Sequence, residues 1–444
     1  MMRSFRAPRV WRGSMIAVAA VGLMGILAAC PTLAVAQRTA ITGGTVHTLA
    51  GDVIANGTVV MEAGRITSVG AELAAPSGAQ VIDATGLHVY PGMFNAFSQI
   101  GLLEINAVQV TNDNSEVGDF NPHLVAATAV HPASERIPVT RANGVTHAVS
   151  APSARPGGIG GQATVISLDG WTVEEMMVEQ SIGMVVAWPT LSAQECTPFG
   201  CFGPSRPFAQ AEDDYEDAIE RLSSWLEDAR RYARAVEGSS PPSRDLRLEA
   251  LASAVSGDMP FLVLVDGARD IRDAIAFGDE EDIEIVIVSG REAPKVVDVL
   301  AEHDVPVLMR ATQNLPYGDD DSYNQTFAAA ATLYRAGVRF AMTAWGSNGP
   351  NPPSRTLPYE AANAVAFGLP AEEAVLSVTR YPAEILGIGD EIGTIEEGKI
   401  ANLIVTDGDP LQIRTQMRYV IVHGELSSSD NKHLRLWERY RTRR

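Results

Sequence analysis

Strand-like and helix-like stretches alternate through the middle of this chain, and this alternation constrains its fold more than any other feature. Eight short apolar runs have the length and composition of buried strands: one near Met93, then Gly144–Ser150, Ala163–Leu168, Gly183–Trp188, Phe261–Val265, Ile283–Ser289, Val305–Met309 and Arg339–Thr343. Helical patterns, such as those at residues 213–236 and 294–303, separate some of them. Repeated strand–helix units predict an α/β fold with a parallel sheet, and eight units over residues 91–387 favour a (β/α)8 TIM-like barrel.

The two ends of the chain carry a different pattern. Residues 38–90 alternate apolar and polar positions in short runs broken by glycine, and a second such patch lies at Ala401–Val422. A period of two is typical of strands with one buried face. Both ends are therefore predicted to form β structure outside the barrel, followed by a basic C-terminal tail at residues 427–444.

The charge balance excludes one class of partner. The chain has 34 Lys and Arg against 54 Asp and Glu, a formal net charge of -20, and 46% hydrophobic residues that can supply a large core. An acidic chain repels polyphosphate, so we predict no nucleic-acid partner. Three cysteines are too few for a disulfide framework and, without nearby histidines, for a thiolate zinc site.

The first 36 residues have the pattern of a secretory signal peptide. Four arginines, ending with Arg12, precede an uncharged run, Met15–Ala29, that is short for a membrane span. Ala34–Ala36 fits the small-x-small cleavage rule, whereas Leu27–Cys30 resembles a bacterial lipobox that would leave Cys30 lipidated. Either alternative predicts an exported, periplasmic protein with no transmembrane helix in the mature chain.

Two cysteines lie close together in a loop-like segment. Cys196 and Cys201 enclose four residues of the sequence CTPFGC. In an oxidising compartment we expect them to form a local disulfide, with two free thiols as the alternative.

Several short motifs flank the barrel segment: Gly64–Ile66 with Val69–Gly70, Val81–Gly86, Pro91–Met93, Leu357–Ala361, Tyr381–Gly387 and Gly393–Leu403. Together they resemble the amidohydrolase superfamily, specifically its secreted imidazolonepropionase-like branch, although that family usually has aspartate in place of Asn402. The resemblance implies a barrel at residues 91–387 and a small β-sandwich formed by residues 37–90 and 388–426. It also implies hydrolysis of carbon–nitrogen bonds with zinc or another divalent metal, and it makes the glycine-rich segment 157–161 a barrel loop.

The resemblance also locates the positions at which family members hold their metals. These are a His-x-His pair after the first strand, histidines after the fifth and sixth strands, and an aspartate after the eighth. In this chain the corresponding residues are Phe97 and Gln99, then Leu264, Ser289 and Trp345. Carbon side chains cannot coordinate a metal, and serine and glutamine are weak ligands. We therefore predict no metal cofactor.

Two other arrangements remain open from the sequence. His123, His131 and His147 could form a new metal cluster, although structural roles are the preferred interpretation. Glu104 and Asp266 could act as paired carboxylates in a metal-free hydrolysis, if the fold brings them together.

Barrel active sites are assembled at the C-terminal ends of the strands, so polar residues there define a candidate pocket. The set suits a small polar organic ligand. Its members are Gln99, Glu104, Asp266, Ser289, Glu292, Arg310, Trp345 and Asn348.

Two hypotheses about function follow. The first is an exported protein that has lost the family's metal ligands and acts as a non-catalytic ligand-binding or partner homologue, alone or in an oligomer with itself or an intact amidohydrolase. The alternative is a divergent hydrolase of non-peptide or cyclic carbon–nitrogen bonds with a rearranged or metal-free site.

Overall fold

Two sheets organise the part of the chain that the computed structural model describes, which comprises residues 38–197, 200–318, 320–346 and 354–443. For residues 195–197 and 200–204 only the backbone is described. The expected signal peptide with Cys30, and Asn348 of the candidate pocket, lie outside the described residues. No described helix has the length and apolar character needed to cross a membrane.

The strands, in chain order, are β1 (Arg38–Val46), β2 (Ile54–Glu62), β3 (Arg65–Ala71), β4 (Gln80–Asp83), β5 (His88–Pro91), β6 (Met93–Ser98), β7 (Val145–Ser150), β8 (Gly158–Ser167), β9 (Met177–Ala187), β10 (Gln194–Thr197), β11 (Gly200–Ser205), β12 (Phe261–Val265), β13 (Ile285–Ser289), β14 (Val307–Met309), β15 (Phe340–Met342), β16 (Leu403–Thr406), β17 (Met417–Val422) and β18 (Glu425–Leu426). The described helices are α1 (Arg136–Arg141), α2 (Val173–Met176), α3 (Phe208–Val236), α4 (Leu246–Val255), α5 (Ala268–Glu280), α6 (Val297–Glu302), α7 (Gln325–Arg335), α8 (Leu357–Ala366), α9 (Ala371–Leu376), α10 (Arg380–Ile385) and α11 (Lys432–Tyr440).

The first sheet joins the two ends of the described chain. Its order is β18-β17-β16-β5-β1-β2-β3, with β4 also paired to β1, and the ends meet where β16 runs antiparallel to β5. Both predicted β-rich patches therefore enter the same structure. The strands form one continuous hydrogen-bonded sheet, in which β1 pairs with β4 through its first half and with β5 through its second.

The second sheet has the order β6-β7-β8-β9-β12-β13-β14-β15 and curls into a barrel-like form. Each of the eight predicted apolar runs overlaps one of its strands, although β8 and β9 begin five and six residues before their runs. Across the seam between the two end strands, the backbone N–H of Ala344 donates to Asn95 Oδ1 at 3.3 Å. The regular (β/α)8 pattern fails at one strand, since β8 runs antiparallel to both β7 and β9.

The glycine-rich segment begins that reversed strand and is not a free barrel loop. Gly158 opens β8, and the backbone of residues 119–124 lies against it, with Ile159 N donating to Asp119 O at 2.7 Å. A Cβ atom at Gly158 would lie 2.3 Å from that same carbonyl oxygen. The glycines are needed because two main chains approach each other here.

The parallel strands are buried on both faces. Along β12, Leu262 belongs to an apolar cluster inside the barrel, whereas Val263 packs in the layer between the sheet and the helices. Leu386 and Ile388, which follow α10, also join the interior cluster. The barrel is therefore filled by side chains.

The hairpin β10–β11 places Cys196 opposite Cys201 in antiparallel register. Their side chains lie outside what the structure describes, so the disulfide stays a prediction.

Candidate functional site

Apolar side chains fill the positions at which the resemblance places metal ligands. Phe97 is 1% exposed, and its ring packs edge-on against Trp345 with the centroids 5.0 Å apart. Leu264 and Trp345 pack on the same interior cluster as Phe97. Among the described residues, no group of three or more His, Cys, Asp or Glu side chains is arranged to hold a metal ion. Phe97, Leu264 and Trp345 have no side-chain atom that can coordinate a divalent metal, so they do not fit a metal site.

Two predicted pocket residues lie away from the others. Gln99 is buried, and its Nε2 donates to Ser153 Oγ at 2.6 Å. Glu104 and Gln99 line a cavity of about 430 Å³ that also borders Arg136 and helix α11. Within the described contacts, none joins Glu104 to Asp266, which gives the paired-carboxylate hypothesis no support.

Asp266 and Ser289 form the centre of a polar cluster at the C-terminal ends of β12 and β13. Ser289 Oγ donates to Asp266 Oδ1 at 2.6 Å. Ser289 is 5% exposed and adopts a φ of 81°, a left-handed conformation that disfavours side chains with a Cβ atom. Such strain persists only where the surroundings hold it, and it is concentrated at functional sites.

Arg310 follows β14 and reaches the same cluster. Its Nη1 lies 3.4 Å from Ser289 Oγ and 3.8 Å from Asp266 Oδ2. Its Nε is buried without a hydrogen-bond partner, and burial lowers the pKa of the guanidinium. Gly346 has a φ of 76°, and a Cβ atom there would lie 2.3 Å from Arg310 Nε, so the main chain packs directly on the guanidinium.

Sequence reasoning missed Arg291 and Tyr317, which complete this polar cluster. The Arg291 guanidinium lies 4.6 Å above the centre of the Tyr317 ring, and Arg291 Nη2 donates to Leu315 O at 3.0 Å. Burial, with the negative charge of Asp266, raises the pKa of Tyr317. Arg291 comes two residues after the end of β13, so its position at a strand end was a usable signal.

Glu292 belongs to the framework beside this cluster. Its Oε2 accepts a hydrogen bond from the backbone N–H of Ala268 at 2.8 Å, at the start of α5, and its Oε1 pairs with Lys295 at 2.6 Å. Lys295 also contacts Asp321 Oδ1 at 2.6 Å. Glu292 is thus committed to protein partners.

Asp270, in the first turn of α5, is a further group that the candidate set omitted. Burial, followed by the charge of Asp273, raises the pKa of Asp270 to about 6. Perturbed carboxyl groups near strand ends are concentrated at functional sites.

The proposed histidine cluster does not form. His147 is buried between the barrel and the terminal sheet, where its Nε2 accepts a hydrogen bond from Asn402 Nδ2 at 2.7 Å and its Nδ1 contacts Thr146 Oγ1 at 2.9 Å. Burial lowers the pKa of His147 to about 3. Asn402 and Thr146 therefore occupy both ring nitrogens of His147, and neither His123 nor His131 is among its described partners.

Comparison with known proteins agrees with this architecture. A model described as "Amidohydrolase family" matches residues 257–432. The amidohydrolase tasK of Hapsidospora irregularis is 24% identical over 410 residues, which cover 84% of this chain and 40% of that protein. The structure of an amidohydrolase from Thermotoga maritima MSB8 superposes with a TM-score of 0.74 and 25% identity, covering 88% of this chain and 99% of that one.

The chain belongs to the amidohydrolase superfamily. An imidazolonepropionase of Sphingopyxis alaskensis is 37% identical over 92 residues, which cover 20% of this amidohydrolase-superfamily chain and 23% of that enzyme. The chain thus spans 40% or less of the length of these curated relatives.

Proposed function

We propose that this member of the amidohydrolase superfamily is a non-catalytic ligand-binding homologue that uses the polar cluster at the barrel mouth. One observation carries the proposal: Phe97, Leu264 and Trp345, which the sequence resemblance assigns to metal-ligand positions of the family, pack on a single apolar cluster. A hydrolytic metal needs nitrogen or oxygen ligands and an open coordination position. Hydrocarbon packing supplies neither.

The mouth nevertheless retains groups that suit a polar ligand. Asp266, Ser289 and Arg310 contact one another, and the side chains of Asp266 and Arg310 remain 30% and 27% exposed. Ser289 is held in a left-handed backbone conformation, and strain of this kind is concentrated at functional sites, which is the reason to test ligand binding here. We place this role in the periplasm, after export by the predicted leader, and we include assembly with an intact amidohydrolase or a second copy as a form of the same role.

A divergent hydrolase is the second candidate, and the Ser289–Asp266 hydrogen bond of 2.6 Å favours it. In that case Ser289 would act as a nucleophile or position a water molecule without a metal. The relatives named amidohydrolase and imidazolonepropionase indicate amides or cyclic amides as the compounds to assay.

The deciding experiment measures metal content and turnover on one preparation. The protein is purified from the periplasm without chelators or metal-affinity resins, analysed for its elements and assayed with N-acyl amino acids and a cyclic amide. We expect metal far below one ion per chain and no hydrolysis above that of the Ser289→Ala variant. About one zinc, manganese or iron per chain with turnover would refute the non-catalytic role, and metal-free turnover that Ser289→Ala abolishes would establish the second candidate.

A further inference from the structure

The Arg310 guanidinium has unused hydrogen-bond donors at the barrel mouth. A guanidinium carries five N–H groups, and within the described part of the chain Arg310 makes a single side-chain contact within hydrogen-bond distance, the long one of 3.4 Å to Ser289 Oγ. Among the described residues, its Nε is buried without a partner. Buried donors of native proteins are nearly always satisfied, so this guanidinium calls for an acceptor that the described residues do not provide.

A second guanidinium, that of Arg291, also lacks an acceptor for one of its donors among the described residues. Arg291 lies close enough for its charge to act on Arg310, and its own Nε is also buried without a hydrogen-bond partner. Asp266 neutralises one of the two guanidinium groups. Glu292 is held by other partners, since its Oε1 pairs with Lys295 and its Oε2 accepts from Ala268 N. Among the described residues, Asp266 is the one carboxylate that approaches either guanidinium within ion-pair distance, at 3.8 Å from Arg310.

Apolar and aromatic side chains border the polar cluster. Trp345 packs edge-on over Phe97 at the floor, and the Tyr317 ring lies beneath Arg291. On the loop that follows β14, Leu315 and Tyr323 are each 82% exposed. A ligand that places an anionic group on Arg310 would therefore meet hydrocarbon surface with the rest of its body.

We propose that Arg310, with Arg291 and Tyr317 beside it, binds the carboxylate of a small organic ligand that also carries an apolar or aromatic group. A carboxylate presents two acceptor oxygens in the plane that a guanidinium fork matches, and such charge-assisted pairs are among the stronger hydrogen bonds in proteins. This inference rests on the proposed ligand-binding function and names the ligand class of that site.

Matched acid and amide probes test the assignment. Binding of 3-phenylpropanoate and N-acetyl-L-proline is measured by ligand-observed NMR and calorimetry against the primary amide of each, with inorganic phosphate as a separate arm. We expect at least one acid to bind about tenfold more tightly than its amide, since the amide forfeits charged hydrogen bonds. Arg310→Gln should abolish that preference, and Arg310→Lys, which keeps the charge but not the fork, should retain part of it.

The control is Arg339→Gln. Arg339 directly precedes β15, at the end of the barrel strands opposite to Arg310, and it pairs with Asp304. This variant should leave acid binding unchanged. Equal affinity for every acid and its amide, or undiminished binding by Arg310→Gln, would overturn the proposal. Binding of phosphate alone would also overturn it, in favour of an inorganic-anion site. None of these outcomes depends on metal content or turnover, so this proposal and the non-catalytic role can fail separately.

Discussion

Gly346 fixes the position of Arg310 through direct contact of the main chain with the guanidinium. Its φ of 76° is the left-handed conformation, and a Cβ atom would lie 2.3 Å from Arg310 Nε. We predict that Gly346→Ala lowers the free energy of unfolding by about 2 kcal/mol, because backbone strain adds to a steric clash. The same change should displace Arg310 and weaken acid binding. Urea unfolding and the acid–amide comparison measure the two effects.

Gly337 offers a matched control at the scale of single residues. It has a φ of 75°, and a Cβ atom there would meet no atom within 4 Å. Gly337→Ala therefore carries the strain without the clash, and it should cost less stability and leave ligand binding intact. If both variants lose the same stability and bind alike, Gly346 does not position Arg310.

At the scale of elements, the sequence predicted where the strands of the barrel-like sheet lie, but it did not predict the direction of every strand. Every strand of the barrel-like sheet overlaps an apolar run that the pattern identified, because burial on both faces leaves a continuous hydrophobic signature. The reversal of β8 has no such signature, since an antiparallel central strand buries the same residue types. Gly158 and Gly161 of this strand lie against the backbone of residues 119–124, a contact that is remote in sequence.

The hairpin β10–β11 carries a prediction at the same scale. Cys196 and Cys201 face each other in antiparallel register, so we expect a disulfide after export to an oxidising compartment. Alkylation of unfolded protein before and after reduction, followed by mass spectrometry, should show two protected thiols only before reduction. Closing so short a loop should contribute roughly 2 kcal/mol, which a Cys196→Ser/Cys201→Ser double variant would lose. Free thiols in periplasmic protein would contradict the pairing.

For the molecule as a whole, the sequence displays the residue types at the motif positions, but it does not show which side chains meet at the barrel mouth. The cluster of Asp266, Ser289, Arg291, Arg310 and Tyr317 depends on how neighbouring strand ends converge, and a loop residue such as Tyr317 has no pattern that places it. His147 and Asn402 were likewise separate observations until the fold joined the barrel to the terminal sheet.

That junction makes the stability of the whole molecule depend on pH. Asn402 Oδ1 accepts from the backbone N–H of His423, so its Nδ2 must face His147 Nε2, which stays unprotonated. Burial lowers the pKa of His147 to about 3, well below its value of about 6.5 in the unfolded chain. The unfolded state therefore binds the extra proton, and stability falls as the pH decreases from about 6.5 towards 3, by at most about 1.4 kcal/mol per pH unit for this group.

The variant Asn402→Asp introduces the residue that is usual in the family, and it isolates the contribution of His147 to the pH dependence of stability. A carboxylate cannot donate to His147 Nε2, so at pH 7 the variant should lose about 1–3 kcal/mol of unfolding free energy. The carboxylate also favours protonated His147, which raises the pKa of that histidine, and the loss of stability between pH 7 and pH 5 should shrink. Urea unfolding at four pH values from 5 to 8 measures both effects, with the exposed His433→Asn as a variant that keeps the wild-type slope. Parallel pH profiles for wild type and Asn402→Asp would show that the junction does not control the protonation of His147.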